Sequence, residues 1–153
     1  MGDFDFLAGT WNVANRRLRE RHVGGDDWDE FPGLSVARGF FGGAGSFDEI
    51  TFPTRGFSGA TVRIFDPAAG SWSIYWMSSR RGMLELPPVV GRFVDGVGTF
   101  LADDVDEQRP VRCRFVWSAI TPTSCRWEQA FSTDGERTWE TNWVMEFTRA
   151  STG

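Results

Sequence analysis

Val111-Arg-Cys-Arg-Phe-Val-Trp-Ser118, Ala119-Ile-Thr-Pro-Thr123 and Ser124-Cys-Arg-Trp-Glu-Gln-Ala-Phe131 run consecutively in the chain. Cys113, Phe115 and Trp117 share one face of the first run, and Cys125, Trp127, Gln129 and Phe131 share one face of the last. Arg112, Arg114, Arg126 and Glu128 take the opposite faces. Alternation at a period of two is the signature of a strand, so the two runs form an antiparallel hairpin centred near Thr121. Thr138–Thr148 extends the pattern: Thr141, Trp143, Met145 and Phe147 lie on the apolar side, and Glu140, Asn142 and Glu146 on the charged side. Charges can pair across strands on a solvated surface, so the apolar set is expected to point inward.

Working outward, the same period recurs in Thr10–His22, Leu34–Phe41, Ser46–Pro53, Phe57–Phe65, Ser71–Ser78, Val89–Val94 and Val97–Ala102. With the last three, that makes ten candidate strands. The turn chemistry between them is explicit. Asp66-Pro-Ala-Ala-Gly70 has proline early and glycine late, and Asp95-Gly96 is a two-residue hairpin signal. Helical spacing is weak: Phe4 and Leu7 suggest one turn, and Val23–Gly33 reads as a loop or short helix. The expected fold is all-β, a single antiparallel up-and-down barrel of about ten strands with little helix, spanning residues 1–153 as one domain. A sandwich is the alternative, but a barrel removes the exposed edges that ten strands would otherwise present.

Composition narrows the function. The 153 residues carry a net charge of −5, which argues against nucleic acid as a partner. The longest apolar runs are too short to span a bilayer, and no signal peptide is read, so no membrane partner and a cytoplasmic location are expected. All 16 basic residues are arginine, which excludes a Schiff-base or phosphate-loop lysine. With one histidine, His22, a histidine-based zinc site is out of reach. Asp103–Glu107 reads as a solvated acidic loop lacking the spacing of a cation loop. No metal and no cofactor are assigned. Cys113 and Cys125 fall on neighbouring strands about four residues out of register, too far for a disulfide.

The opening Phe4-Asp-Phe-Leu-Ala-Gly-Thr-Trp11 resembles the Gly-x-Trp start of lipocalin-like, or calycin, barrels. In that superfamily the tryptophan plugs the barrel base and an arginine late in the last strand packs over it, a role that the resemblance gives to Arg149. Val62–Pro67, Trp72–Trp76 and Trp127–Phe131 extend the likeness to a bacterial lipocalin-like family of unknown function. That family is distantly similar to nitrobindin and fatty-acid-binding proteins. Nitrobindin-like proteins hold haem through a late-strand histidine, and this chain has none after His22. Ser132–Trp139 resembles the Asp-box hairpin of sialidase propellers, a turn-stabilising device, with Glu136 where glycine is usual.

The barrel interior carries the functional expectation. Pairing about Asp66–Gly70 puts Thr61, Arg63, Phe65, Trp72, Ile74 and Trp76 on one face of a hairpin, read as inward. Ala60, Val62, Ile64, Ser73, Tyr75 and Met77 then form an outer face for a second copy, as a homodimer, or the N-terminal segment to cover. Eight tryptophans are several times the usual share. Trp76, Trp117, Trp127 and Trp143 are expected to wall a cavity for a small hydrophobic or aromatic ligand, with Arg63 and Gln129 as polar anchors. The alternatives are an isomerase, cyclase or hydratase on the same barrel, using His22, Tyr75 or a buried carboxylate for proton transfer, and a dimerisation module with a filled barrel. His22 itself reads as a solvated strand end or a general base at the mouth.

Overall fold

A computed structural model describes residues 1–150. Ten antiparallel strands close into one barrel: β1 (Gly9–Leu18), β2 (Trp28–Phe40), β3 (Gly45–Phe52), β4 (Phe57–Asp66), β5 (Ser71–Ser78), β6 (Val89–Val94), β7 (Val97–Asp106), β8 (Arg109–Ser118), β9 (Ser124–Ser132) and β10 (Glu140–Arg149). Each strand pairs with its neighbours in sequence, and β1 closes the ring on β10 from Trp11↔Arg149 to Arg17↔Trp143. Closure leaves no edge strand, which is how this many short strands avoid open ladders.

The strand faces follow the alternation. Trp117 pairs with Trp127, and Cys113 with Phe131, inside the barrel. Cys113 therefore lies opposite Phe131 rather than residue 129, a slip of two that keeps every side chain on its expected face. Thr61↔Trp76, Arg63↔Ile74 and Phe65↔Trp72 pair as anticipated, and Arg63, Trp72 and Ile74 are buried. The two cysteines are free and buried.

Three boundaries differ from the sequence reading. Strand β1 stops at Leu18, not His22, and β2 starts at Trp28, so the supposed loop 23–33 is half strand. Pro32 is tolerated there because β3 pairs with β2 only from Leu34 onward, leaving that flank of the strand without a ladder. The acidic run is not a loop: β7 continues to Asp106, with Asp103 opposite Arg112 and Asp106 opposite Arg109 in the ladder with β8. Arg112 Nη1 reaches Asp103 Oδ1 at 3.0 Å, and opposite charges across a ladder offset poor strand propensity. Finally, the β9–β10 register jumps between Thr141 and Trp143. This bulge turns Asn142, expected on the charged outer face, into the barrel, where it is 1% exposed.

One end of the barrel is sealed. The N-terminal segment makes a single 3-10 turn, Asp5–Leu7. Phe4 packs edge-on to Trp72 at 4.9 Å and to Phe93 at 5.0 Å, and Trp11 Nε1 donates to the Leu7 carbonyl at 2.8 Å. Arg149 lies over the Trp11 ring at 4.2 Å. Its three guanidinium nitrogens donate to the carbonyls of Pro122, Ala8 and Phe6 at 3.0, 2.8 and 3.0 Å. Gly9 is required here: its φ is +124°, and a Cβ would overlap Arg149 Nη1. Since this segment caps the barrel end, it does not cover the outer face of β4 and β5.

Candidate functional site

The other end opens into a cavity of about 1080 Å³. That is at the upper end of the range for small-molecule sites. All six residues singled out from the sequence, Arg63, Trp76, Trp117, Trp127, Gln129 and Trp143, border it. They do so in distinct ways. Trp117 belongs to the floor: it contacts Phe6 at 5.8 Å and Phe147 at 5.4 Å, part of the sealed end. Arg63 also sits low, 5.1 Å above Phe4 and 5.5 Å from the Trp117 ring. It is 3% exposed, ion-paired to Asp48, and donates to Ser46 Oγ at 3.1 Å. A buried guanidinium needs such a partner, and Asp48, which the sequence reading missed, supplies it from the adjacent strand.

Trp76, Trp127 and Trp143 form one array. Trp143 on β10 meets Trp76 on β5 edge to face at 6.2 Å, and Trp127 on β9 at 5.7 Å. Strands β5 and β10 are five steps apart round the ring, so this contact crosses the bore. The reach depends on Gly59 of β4, where a Cβ would overlap Cη2 of Trp76. Glycine therefore lets the indole lie flat against the neighbouring strand. Trp143 also donates from Nε1 to Asn15 Oδ1 at 3.0 Å, which fixes its orientation.

Polar groups surround this bar. Gln129 Nε2 donates to Asn142 Oδ1 at 2.8 Å, so the amide anticipated to need a partner finds one through the bulge. Asn142 Nδ2 and Asn15 Nδ2 are buried without acceptors. Arg17 stacks on Trp143 with its guanidinium carbon 4.2 Å from the ring. The pattern of β1 already put Arg17 on the inner face with Val13 and Asn15, yet its charge disguised it as a surface residue.

His22 is not a solvated strand end. Its side chain is 8% exposed, Nε2 lies 2.8 Å from Asp106 Oδ2, and its backbone N–H donates to Glu140 Oε1 at 2.7 Å. The ring packs against Phe131 and does not border the cavity. Arg21 donates to both oxygens of Asp106 at 2.7 and 2.9 Å. Burial acts to raise the Asp106 carboxyl, but the bonds from Arg21 and His22 outweigh it and hold the group below its ordinary value. His22, Asp106 and Glu107 place ligand atoms within 4.8 Å of one another. Arg21 already serves both carboxylates as the cation, lying 3.5 Å from Glu107, so no metal is assigned there. Tyr75 lies on the outer face, opposite Val62, and takes no part in the cavity.

Glu85 and Cys113 at the cavity, and Cys125 outside it, bear on chemistry. Burial pushes the Glu85 carboxyl up, with Arg81 opposing and Asp104 adding to the rise. Burial likewise raises the Cys113 thiol, and pushes Cys125 up to about 12. Neither thiol is poised as a thiolate nucleophile.

A scan against protein-family models finds no match, and a search of curated proteins finds no significant relative. What stands is a closed ten-stranded antiparallel barrel with aromatic clusters and one sealed end. No helix among the described residues is long and apolar enough to cross a membrane.

Proposed function

We propose that this chain is a lipocalin-like barrel that binds a small, flat, hydrophobic molecule in its cavity, acting in the cytoplasm. The observation that carries this reading is the tryptophan bar across an open bore. Indole faces that border about 1080 Å³ of cavity offer a stacking surface for a planar ligand. Trp76, Trp127, Trp143 and Gln129 would contact the ligand, while Trp117 and Arg63 shape the floor.

Titration of tryptophan emission with a panel of planar aromatics and long-chain apolar compounds tests it. Saturable quenching is expected, with at least a tenfold loss of affinity in Trp143→Ala while unfolding stays cooperative. If no compound quenches, and native mass spectra show neither a bound small molecule nor a change with added compound, the filled-barrel alternative replaces this reading. Its outer face on β4 and β5 would then be tested as a homodimer contact by light scattering.

An enzyme acting on a hydrophobic metabolite is the second reading, and Glu85 is what favours it. A carboxyl with a raised pKa at a cavity mouth suits general acid–base work. Its signature would be turnover lost in Glu85→Gln with ligand affinity kept.

A further inference from the structure

The polar groups round Trp143 are unbalanced. Arg17 makes no hydrogen bond or ion pair among the described residues, although it stacks on Trp143 and faces the cavity. Asn142 and Asn15 each have their amide oxygen engaged and their amide nitrogen without an acceptor. Turning over both amides of the Gln129–Asn142 pair only moves the leftover donor to Gln129. Of these groups, Arg17 and Asn142 line the cavity, and both present donors there without acceptors. A half-buried cation without a paired carboxylate is costly, and burial, with Arg21 and Arg80 adding repulsion and the more distant Asp106 and Glu85 only partly offsetting it, lowers the Arg17 pKa.

The acidic groups at the mouth do not supply the missing partner. Asp106 is taken by Arg21 and His22. Glu85 lies 3.7 Å from Arg81, and Asp103 is held by Arg112 at 3.0 Å. Asp104 is exposed and accepts from the backbone N–H of Val105 at 2.8 Å. Deeper in the cavity, Asp48 is committed to Arg63. Of the cavity cations Arg17, Arg21, Arg63 and Arg81, Arg17 alone lacks a carboxylate partner among the described residues.

We infer that the ligand is an anion, a carboxylate borne on a flat aromatic body. The carboxylate is received by the Arg17 guanidinium, and the aromatic rings lie on the Trp76–Trp143–Trp127 bar. A guanidinium fork matches a carboxylate in two parallel hydrogen bonds. Stacking on Trp143 fixes the plane of that fork, so little orientation is lost when the acid arrives. The ring system of the ligand then continues from a polar head at Arg17 onto apolar indole faces. This inference rests on the binding reading above and adds the charge of the ligand and the residue that reads it.

The test pairs acids with their neutral amides, which have the same shape: 2-naphthoate with 2-naphthamide, biphenyl-4-carboxylate with its amide, and anthraquinone-2-carboxylate with its amide. Tryptophan quenching and calorimetry on the full chain should give at least one acid that binds tenfold or more tightly than its amide. Arg17→Gln should erase that preference, with acid affinity falling at least to that of the amide, and Arg17→Lys should restore part of it. Near-ultraviolet circular dichroism checks that each variant is folded. Acid and amide binding equally, or a preference that survives Arg17→Gln, overturns this inference and leaves the binding reading standing. If no acid binds while neutral compounds do, this inference falls alone. If neither acids nor neutral compounds bind, both fall.

Discussion

Arg149 and Arg17 make an instructive pair. They lie on the adjacent strands β10 and β1, and each holds its guanidinium 4.2 Å from a tryptophan ring, Trp11 for one and Trp143 for the other. At the sealed end, all three nitrogens of Arg149 reach backbone carbonyls. At the mouth, Arg17 reaches none among the described residues. The same stacked motif is a lock where the chain itself supplies acceptors and a receptor where it does not. Stacking therefore says little about role, and the hydrogen-bond partners decide it.

The contrast breaks first on stability. Trp11→Ala removes a fully buried ring from the plug and should cost about 3–5 kcal/mol in chemical denaturation. Trp143→Ala should cost visibly less, since part of its surroundings is already cavity, while weakening ligand affinity at least tenfold. Equal losses at both sites would mean that the mouth is packed as tightly as the base. The next effect is the arginine pair itself. Arg149→Ala should lower stability by about 1–2 kcal/mol, because it removes three charge-assisted hydrogen bonds, one of them part-buried, and the stack on Trp11. Arg17→Gln should stay within about 0.5 kcal/mol of the parent.

Gly59→Ala sharpens the comparison on the ligand side. The added methyl displaces the Trp76 ring from its seat on β4, so the bar across the bore opens. Tryptophan emission should shift and affinity should fall several-fold, with a smaller loss of stability than Trp11→Ala. An unchanged spectrum would mean that Trp76 does not depend on that seat.

The smallest effects belong to the β9–β10 turn at the mouth. Hydrogen bonds from the Thr138 side chain and backbone and from Ser132 pull the Asp134 carboxyl down to about 2. The ionised form is thus favoured by folding. Its contribution is complete above about pH 4, near the ordinary carboxylate value, and is lost as pH falls through about 2. The Thr138 amide proton shift, followed by NMR through an acid titration, should report that midpoint, and a midpoint near 4 would remove the bonds from the account. In the same turn Glu136 has φ +72°, the left-handed region where glycine is usual in this box. Glu136→Gly should therefore gain up to about 1 kcal/mol. The gain is reduced by its contact with Arg112 at 3.4 Å and is seen as a melting point a few degrees higher.

The strand count, the hairpin turns and nearly every inward face are legible along the chain. Period-two alternation and turn chemistry are local properties, read over a handful of residues. The alternation also identifies the lining tryptophans, because a face once assigned carries all of its members, whereas the Arg149 cap follows from the resemblance to lipocalin-like barrels. Tertiary structure alone decided the features that depend on strands meeting at a distance. The β10 bulge reversed the facing of Asn142 and Glu140, and nothing in Thr141-Asn142-Trp143 announces an extra residue in a ladder. Asp103–Asp106 became strand because β8 lies alongside to pair with it, and His22 became buried because Asp106 and Glu140 come to it from strands far along the chain. Whether Arg17 or Arg149 finds acceptors is likewise a matter of which carbonyls and carboxylates the closed ring brings within three ångströms. Hydrogen bonds act over that distance alone, so their partners are settled by closure of the barrel and not by spacing along the sequence.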